Sequence, residues 1–207
     1  MKKVVIVHCW DGYPEYCWYP QTKKELEEKG FQVEVPAMPE TNLPKLALWL
    51  PKLKEVVGEP NEELYLVGHS AGVITILRYL ESLEEGNKVG GVVMVAGFTD
   101  SLIYDELENF FETSIDFEKI KSKANHFVAI HSDNDPHVPL KHGDIFKEKL
   151  GAKLIVKHDM GHFSGPVDDT KSVTSLPEVT KTILEMEQQN ERSRMECNFS
   201  PRSDTTN

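Results

Sequence analysis

The chain has 207 residues, 39% hydrophobic and 28% charged, which suits one domain with a sizeable core and leaves little room for two. Its 13 Gly and 12 Pro follow no repeat, so collagen-like, coiled-coil and broadly disordered classes are excluded. A formal net charge of −11 argues against a nucleic-acid or anionic-membrane surface, since both need clustered Lys and Arg to meet phosphate.

No apolar run approaches the roughly 20 residues of a membrane span. Met1-Lys2-Lys3 runs straight into Val4-Val5-Ile6-Val7, too short a lead for a signal peptide, so the expected location is cytoplasmic. Cys9, Cys17 and Cys197 form no C-x-x-C pair and are expected as thiols, not as a disulfide framework or zinc site.

In chain order, short β-branched runs alternate with amphipathic stretches, the pattern of a parallel sheet covered on both faces. Residues 3–8 predict the first strand, 20–29 a helix stopped by Gly30, and 31–35 a second strand ended by Pro36. Leu43, Leu46, Leu50, Leu53 and Val57 keep helical spacing, with Pro51 expected to kink or split the helix. A strand over 64–67, a helix over 71–83 and a strand over 92–96 follow. The mixed acidic and aromatic stretch 98–123 predicts short helices, at most a small cap. Strands at 127–131 and 154–157 flank a helix over 142–150, and a last helix covers 177–188. The polar remainder, 188–207, is expected as a disordered tail. The fold class expected is therefore α/β: a doubly wound, mostly parallel six-stranded sheet in a single domain over 1–187.

Gly68-His69-Ser70-Ala71-Gly72 falls between a predicted strand and a predicted helix, the context that gives a G-x-S-x-G match its meaning. A tight turn there needs glycine on both sides and exposes Ser70 at a helix N-terminus, where free N–H groups favour a developing negative charge. A serine hydroxyl needs a base, and the base needs an acid to fix its tautomer. Both are available downstream. Asp133 and Asp135 follow one strand, and His158 and His162 follow the next. The chain order Ser, Asp, His is that of an α/β-hydrolase. The expected oxyanion donors are the backbone N–H groups of Ala71 and Trp10.

The chain resembles the α/β-hydrolases, and within them the small serine hydrolases of the YdeN and retinoblastoma-binding protein 9 family. The likeness spans roughly residues 2–187. It is carried by the first strand ending in His8, Val35-Pro36-Ala37-Met38-Pro39 with Trp49-Leu50, the Ser70 pentapeptide, Leu77-Arg78-Tyr79-Leu80, Val95-Ala96-Gly97-Phe98, Asp135-Pro136-His137-Val138-Pro139 and Gly161-His162-Phe163. The resemblance implies Ser70 as nucleophile, His162 as base and Asp135 as acid. Cys9 departs from it, standing where the family usually has glycine.

Other readings compete with these. Asp133 is the rival acid and His158 the rival base. His131, Asp133, Asp135 and His137, or His158 with His162, could suggest a metal, but no H-E-x-x-H is present, and no metal or cofactor is expected. Cys9 reads as a small packed residue, and His69 as locally packed or bonded. The expected function is hydrolysis of a small carboxylic ester, or an amide or thioester, through a Ser70 acyl-enzyme; the alternative is a catalytically weak binding or scaffold module. The expected partner is a small-molecule ester, with no nucleic acid and no membrane; a protein partner is not indicated by the sequence. Trp10, Tyr13, Tyr16, Trp18 and Tyr19 crowd one segment, some to fill the core and the rest to wall a compact pocket for short acyl groups.

Overall fold

In a computed structural model that describes residues 1–165 and 173–199, the β-branched runs become six parallel strands joined through helices. Along the chain these are β1 (Lys3–Val7), α1 (Tyr19–Glu27), β2 (Gln32–Glu34), α2 (Leu46–Val57), β3 (Leu64–His69), α3 (Ala71–Glu81) and β4 (Gly91–Val95). A 3₁₀ turn over Asp105–Phe110 then leads to α4 (Phe117–Lys121), β5 (Phe127–Ser132), α5 (Lys141–Leu150), β6 (Lys153–Lys157) and α6 (Pro177–Phe199). Across the sheet the order is β2-β1-β3-β4-β5-β6, with every neighbouring pair parallel. The chain steps outward from β1 to β2 and then returns past β1 to β3. That reversal opens a crevice beyond the C-terminal ends of β1 and β3, where ligands bind in open sheets of this kind.

Strand side chains alternate between two apolar cores, as their period of two requires. Val5, Val7, Leu64, Leu66, Val92 and Met94 pack in the layer that holds Trp49, Leu53, Ile74 and Leu77 of α2 and α3. Val4, Ile6, Tyr65, Val67, Val93 and Val95 face the other way, onto Tyr19 and Leu26 of α1 and Val179 and Ile183 of α6. Burial of each such aliphatic side chain contributes about 1.5–3 kcal/mol, so the sheet is held from both sides.

Pro51 does not split its helix. α2 runs unbroken from Leu46 to Val57, with Pro51 on the exposed side and Trp49, Leu53 and Val57 on the buried one. The missing N–H removes one backbone bond, and the anchored apolar face keeps the helix together. The expected small cap is present as the 3₁₀ turn and α4. Arg78 of α3, only 6% exposed, holds it: Nε donates to the Phe110 carbonyl at 2.9 Å and Nη1 to the Ser114 carbonyl at 3.3 Å. Asn109 ties the cap to α2 by accepting from Leu46 N at 2.7 Å.

The expected disordered tail is corrected over residues 189–199, because α6 continues to Phe199. Polar contacts, not an apolar stripe, dock this extension. Asn190 Nδ2 donates to the Tyr65 hydroxyl and to the Gly90 carbonyl, each at 3.0 Å, and its Oδ1 accepts from His126 at 3.0 Å. Glu187 beside it accepts from the Tyr65 hydroxyl and is paired by Lys2 at 3.0 Å and Arg194 at 3.1 Å. Residues 200–207 lie outside the described residues.

Candidate active site

Ser70 joins β3 to α3 with φ 54° and ψ −117°, a backbone region that residues with a Cβ seldom occupy. The surroundings impose it. Ser70 N donates to the Val95 carbonyl of β4 at 2.9 Å, and the Ser70 carbonyl accepts from Val73 N of α3 at 2.9 Å. Each flanking glycine clears a different neighbour. A Cβ on Gly68 would come within 2.7 Å of the Val73 backbone, and one on Gly72 within 2.1 Å of the Val7 carbonyl oxygen of β1. Glycine at both places lets α3 start against the end of β1 and lifts Ser70 into the crevice. Ala71, first in the helix, has an N–H with no intrahelical acceptor.

The loops after β5 and β6 bring Asp135 and His162 together. His162 Nδ1 lies 2.9 Å from Asp135 Oδ2, with side chains 13% and 2% exposed. Burial by itself would raise the Asp135 carboxyl. The hydrogen bond and charge of His162, with the N–H groups of Val138 and His137, outweigh it and hold the group below the usual carboxylate value. The rival pair forms elsewhere: Asp133 accepts from His158 Nδ1, and the His158 side chain is 82% exposed. His158 and His162 therefore engage different carboxylates.

Two side chains that the sequence reading passed over shape this corner. Asn134 Oδ1 accepts from Gly161 N at 2.8 Å, and Ser132 Oγ accepts from Met160 N at 3.0 Å while donating to Asn134 Oδ1 at 2.7 Å. The loop carrying Asp135 thus grips the backbone of the loop carrying His162. The available signal was the polar run Ser132-Asp133-Asn134 at a strand end, which hydrogen-bonds local backbone readily.

Ser70 and His162 line one cavity of about 240 Å³ whose other walls include Cys9, Trp10, Tyr16, Phe98, Leu102, Tyr104 and Leu107. The cap supplies Leu107, and the segment leading into it supplies Leu102 and Tyr104. Tyr104 packs edge-on against Trp10, with ring centres 5.8 Å apart, and its hydroxyl bonds His137 Nδ1 at 2.8 Å. Of the aromatic segment, Trp10 and Tyr16 face the cavity, Tyr13 is 52% exposed, and Trp18 and Tyr19 are fully buried in the core.

The loop after β1 has a fixed backbone. Met38 N donates to His8 Nε2 at 3.1 Å, so His8 carries its hydrogen on Nδ1, which donates to the Cys9 carbonyl at 2.8 Å. Gly12 N holds the same carbonyl at 3.0 Å. In a trans peptide N–H and C=O point oppositely, so anchoring the Cys9 carbonyl also aims the N–H of Trp10. Burial pushes the Cys9 thiol up to about 11, leaving it neutral at physiological pH.

Comparison with known proteins places this geometry among relatives. A family model described as serine hydrolase matches residues 4–183. YdeN of Bacillus subtilis is 34% identical over 177 residues, covering 85% of this chain and 91% of that protein. The rat serine hydrolase RBBP9 is 32% identical over 150 residues, covering 70% of this chain and 77% of that protein. The crystal structure of the B. subtilis ydeN gene product superposes with a TM-score of 0.84 at 32% identity, covering 91% of this chain and all of that one (100%). Est1E from Butyrivibrio proteoclasticus shares the fold, with a TM-score of 0.69 at 14% identity over 91% of this chain and 89% of its own.

Proposed function

Because the chain belongs to the serine hydrolase family, we propose that it cleaves small carboxylic esters through an acyl-enzyme on Ser70, with His162 as base and Asp135 as its acid partner. The observation that carries this reading is the buried Asp135–His162 pair, 2.9 Å apart, whose histidine lines the same cavity that Ser70 enters from its strained turn.

In this reading His162 Nδ1–H donates to the Asp135 carboxylate, which leaves Nε2 free to accept the Ser70 hydroxyl proton. The Ser70 oxygen bonds to the ester carbon, and the carbonyl electrons move onto its oxygen. The Ala71 and Trp10 N–H groups stabilise that oxyanion. Collapse breaks the bond to the alcohol, which leaves with the proton from His162. Water then gives its proton to His162, attacks the acyl carbon, and releases the carboxylic acid as Ser70 recovers its hydrogen.

Size supports the choice of a small ester. A cavity of about 240 Å³ lies below the roughly 300–1,000 Å³ of drug-sized pockets, and its Trp10, Phe98, Leu102 and Leu107 walls favour a short apolar acyl group. A palmitoyl chain would extend into water and gain little in the transition state. Hydrolysis of p-nitrophenyl acetate, butyrate and palmitate, with Ser70→Ala as blank, tests the reading. A kcat/KM that favours the short esters supports it; a preference for palmitate, or turnover surviving in Ser70→Ala, overturns it.

A further inference from the structure

One buried pair links all three segments of the site, although it lies outside the cavity. Tyr19, fully buried at the start of α1, accepts from Cys9 N through its hydroxyl at 3.1 Å. The same oxygen lies 2.7 Å from Nδ1 of His69, which immediately precedes Ser70. His69 Nε2 in turn lies 2.7 Å from the main-chain carbonyl oxygen of His162.

Chemistry allows one arrangement of the hydrogens. A carbonyl oxygen can only accept, so His69 carries its hydrogen on Nε2. Nδ1 is then bare and must accept, so the Tyr19 O–H donates to it. A lone pair of the hydroxyl remains for Cys9 N–H. Burial, and secondarily the neighbouring His162, hold His69 down to about 3, so protonation does not scramble this order near neutrality.

We propose that Tyr19 and His69 are positioning residues of the reaction: their directed hydrogen bonds hold the oxyanion loop and the backbone of His162 in register around Ser70. The inference rests on the reading of Ser70, His162 and Trp10 given above. Cys9 N fixes one end of the residue whose carbonyl, gripped by His8 and Gly12, aims the Trp10 N–H. The His162 carbonyl fixes the main chain from which the base projects. A shift of even 1 Å in such a frame lowers rate without weakening ground-state binding.

Tyr19→Phe tests this, because it keeps the buried ring and removes only the hydroxyl. The expected result is a kcat about tenfold lower with KM little changed, and an equal loss in affinity for an alkyl boronic acid, whose tetrahedral adduct on Ser70 resembles the intermediate. A purely structural hydroxyl would lower the melting temperature and leave both values intact, and that outcome overturns the proposal. Should Tyr19→Phe fail to fold, His69→Asn carries the same readouts, since its short amide still meets Tyr19 and no longer reaches His162. In the wild type, imidazole nitrogen NMR must show His69 as the Nε2–H tautomer, unchanged from about pH 5 to 8; an Nδ1–H tautomer overturns the proposal without need of a variant. Activity surviving in Ser70→Ala would instead indict the reading of the nucleophile, which separates the two failures.

Discussion

Asp135 Oδ2 lies 2.9 Å from His162 Nδ1, while Asp133, on the same turn, meets His158 at the solvent boundary. The two acids of one polar turn thus occupy opposite environments. Asp135→Asn should lower kcat by roughly 10³–10⁴-fold with the fold retained, because an amide at that place favours the wrong histidine tautomer. Asp133→Asn should change kcat by less than about tenfold, since Asp133 meets the exposed His158 and the Asp159 N–H, not His162. Steady-state kinetics with a short p-nitrophenyl ester decides, and the reverse order would assign the acid to Asp133.

Gly72→Ala should prevent accumulation of folded protein, because its Cβ would lie 2.1 Å from the Val7 carbonyl and 2.9 Å from that of His8. The clash is with backbone, so no rotamer change relieves it, and a cost of roughly 3 kcal/mol or more is expected. Gly58→Ala, whose Cβ meets nothing within 4 Å, should cost only the strain of its positive φ of 69°. Soluble yield and urea midpoints of the two variants check the contrast.

The elbow was legible in the sequence because its demands are local: a strand, a turn with no room for a Cβ at Gly68 or Gly72, and a helix. Asp135 and His162 were legible through their order after successive strands. Trp10 and Trp18 were not separable, since an irregular loop has no period to say which ring enters the core. Tyr19 and His69 were hidden for a related reason: they meet each other across 50 residues, and His69 meets the His162 carbonyl across 93. The α6 extension escaped because Asn190 and Glu187 dock through hydrogen bonds, which leave no hydrophobic stripe to read.

Asn190→Ala should lower stability by about 2–3 kcal/mol while kcat stays unchanged. It would strip partners from the Tyr65 hydroxyl, the Gly90 carbonyl and His126, all at the N-terminal side of the sheet, away from Ser70. Truncation before Asn190 should cost at least as much. Urea denaturation with parallel esterase assays measures both, and an unchanged midpoint would show that the docking contributes nothing.

Buried histidines should make the protein sensitive to mild acid. Burial lowers His131 to about 4 and His69 to about 3, whereas in the unfolded chain each titrates near its ordinary value of about 6.5. Between these limits the unfolded state binds more protons, so stability is full above about pH 6.5 and falls as pH drops towards 4. Asp135, held below its ordinary value, adds a loss only at still lower pH. Neither ring nitrogen of His131 meets a hydrogen-bond partner among the described residues. His131→Leu should therefore raise the melting temperature, by more at pH 5 than at pH 8. An equal gain at both values would remove titration as the cause.

In the acyl-enzyme route one serine, Ser70, activated by His162, carries the acyl group. Intact-mass spectrometry after reaction with a fluorophosphonate ester, followed by peptide mapping, identifies the nucleophilic residue. One adduct per chain is expected, on Ser70, with none in Ser70→Ala and labelling slowed by orders of magnitude in His162→Ala. An adduct on any other residue, or labelling at the wild-type rate without His162, would overturn the assignment of Ser70 and His162.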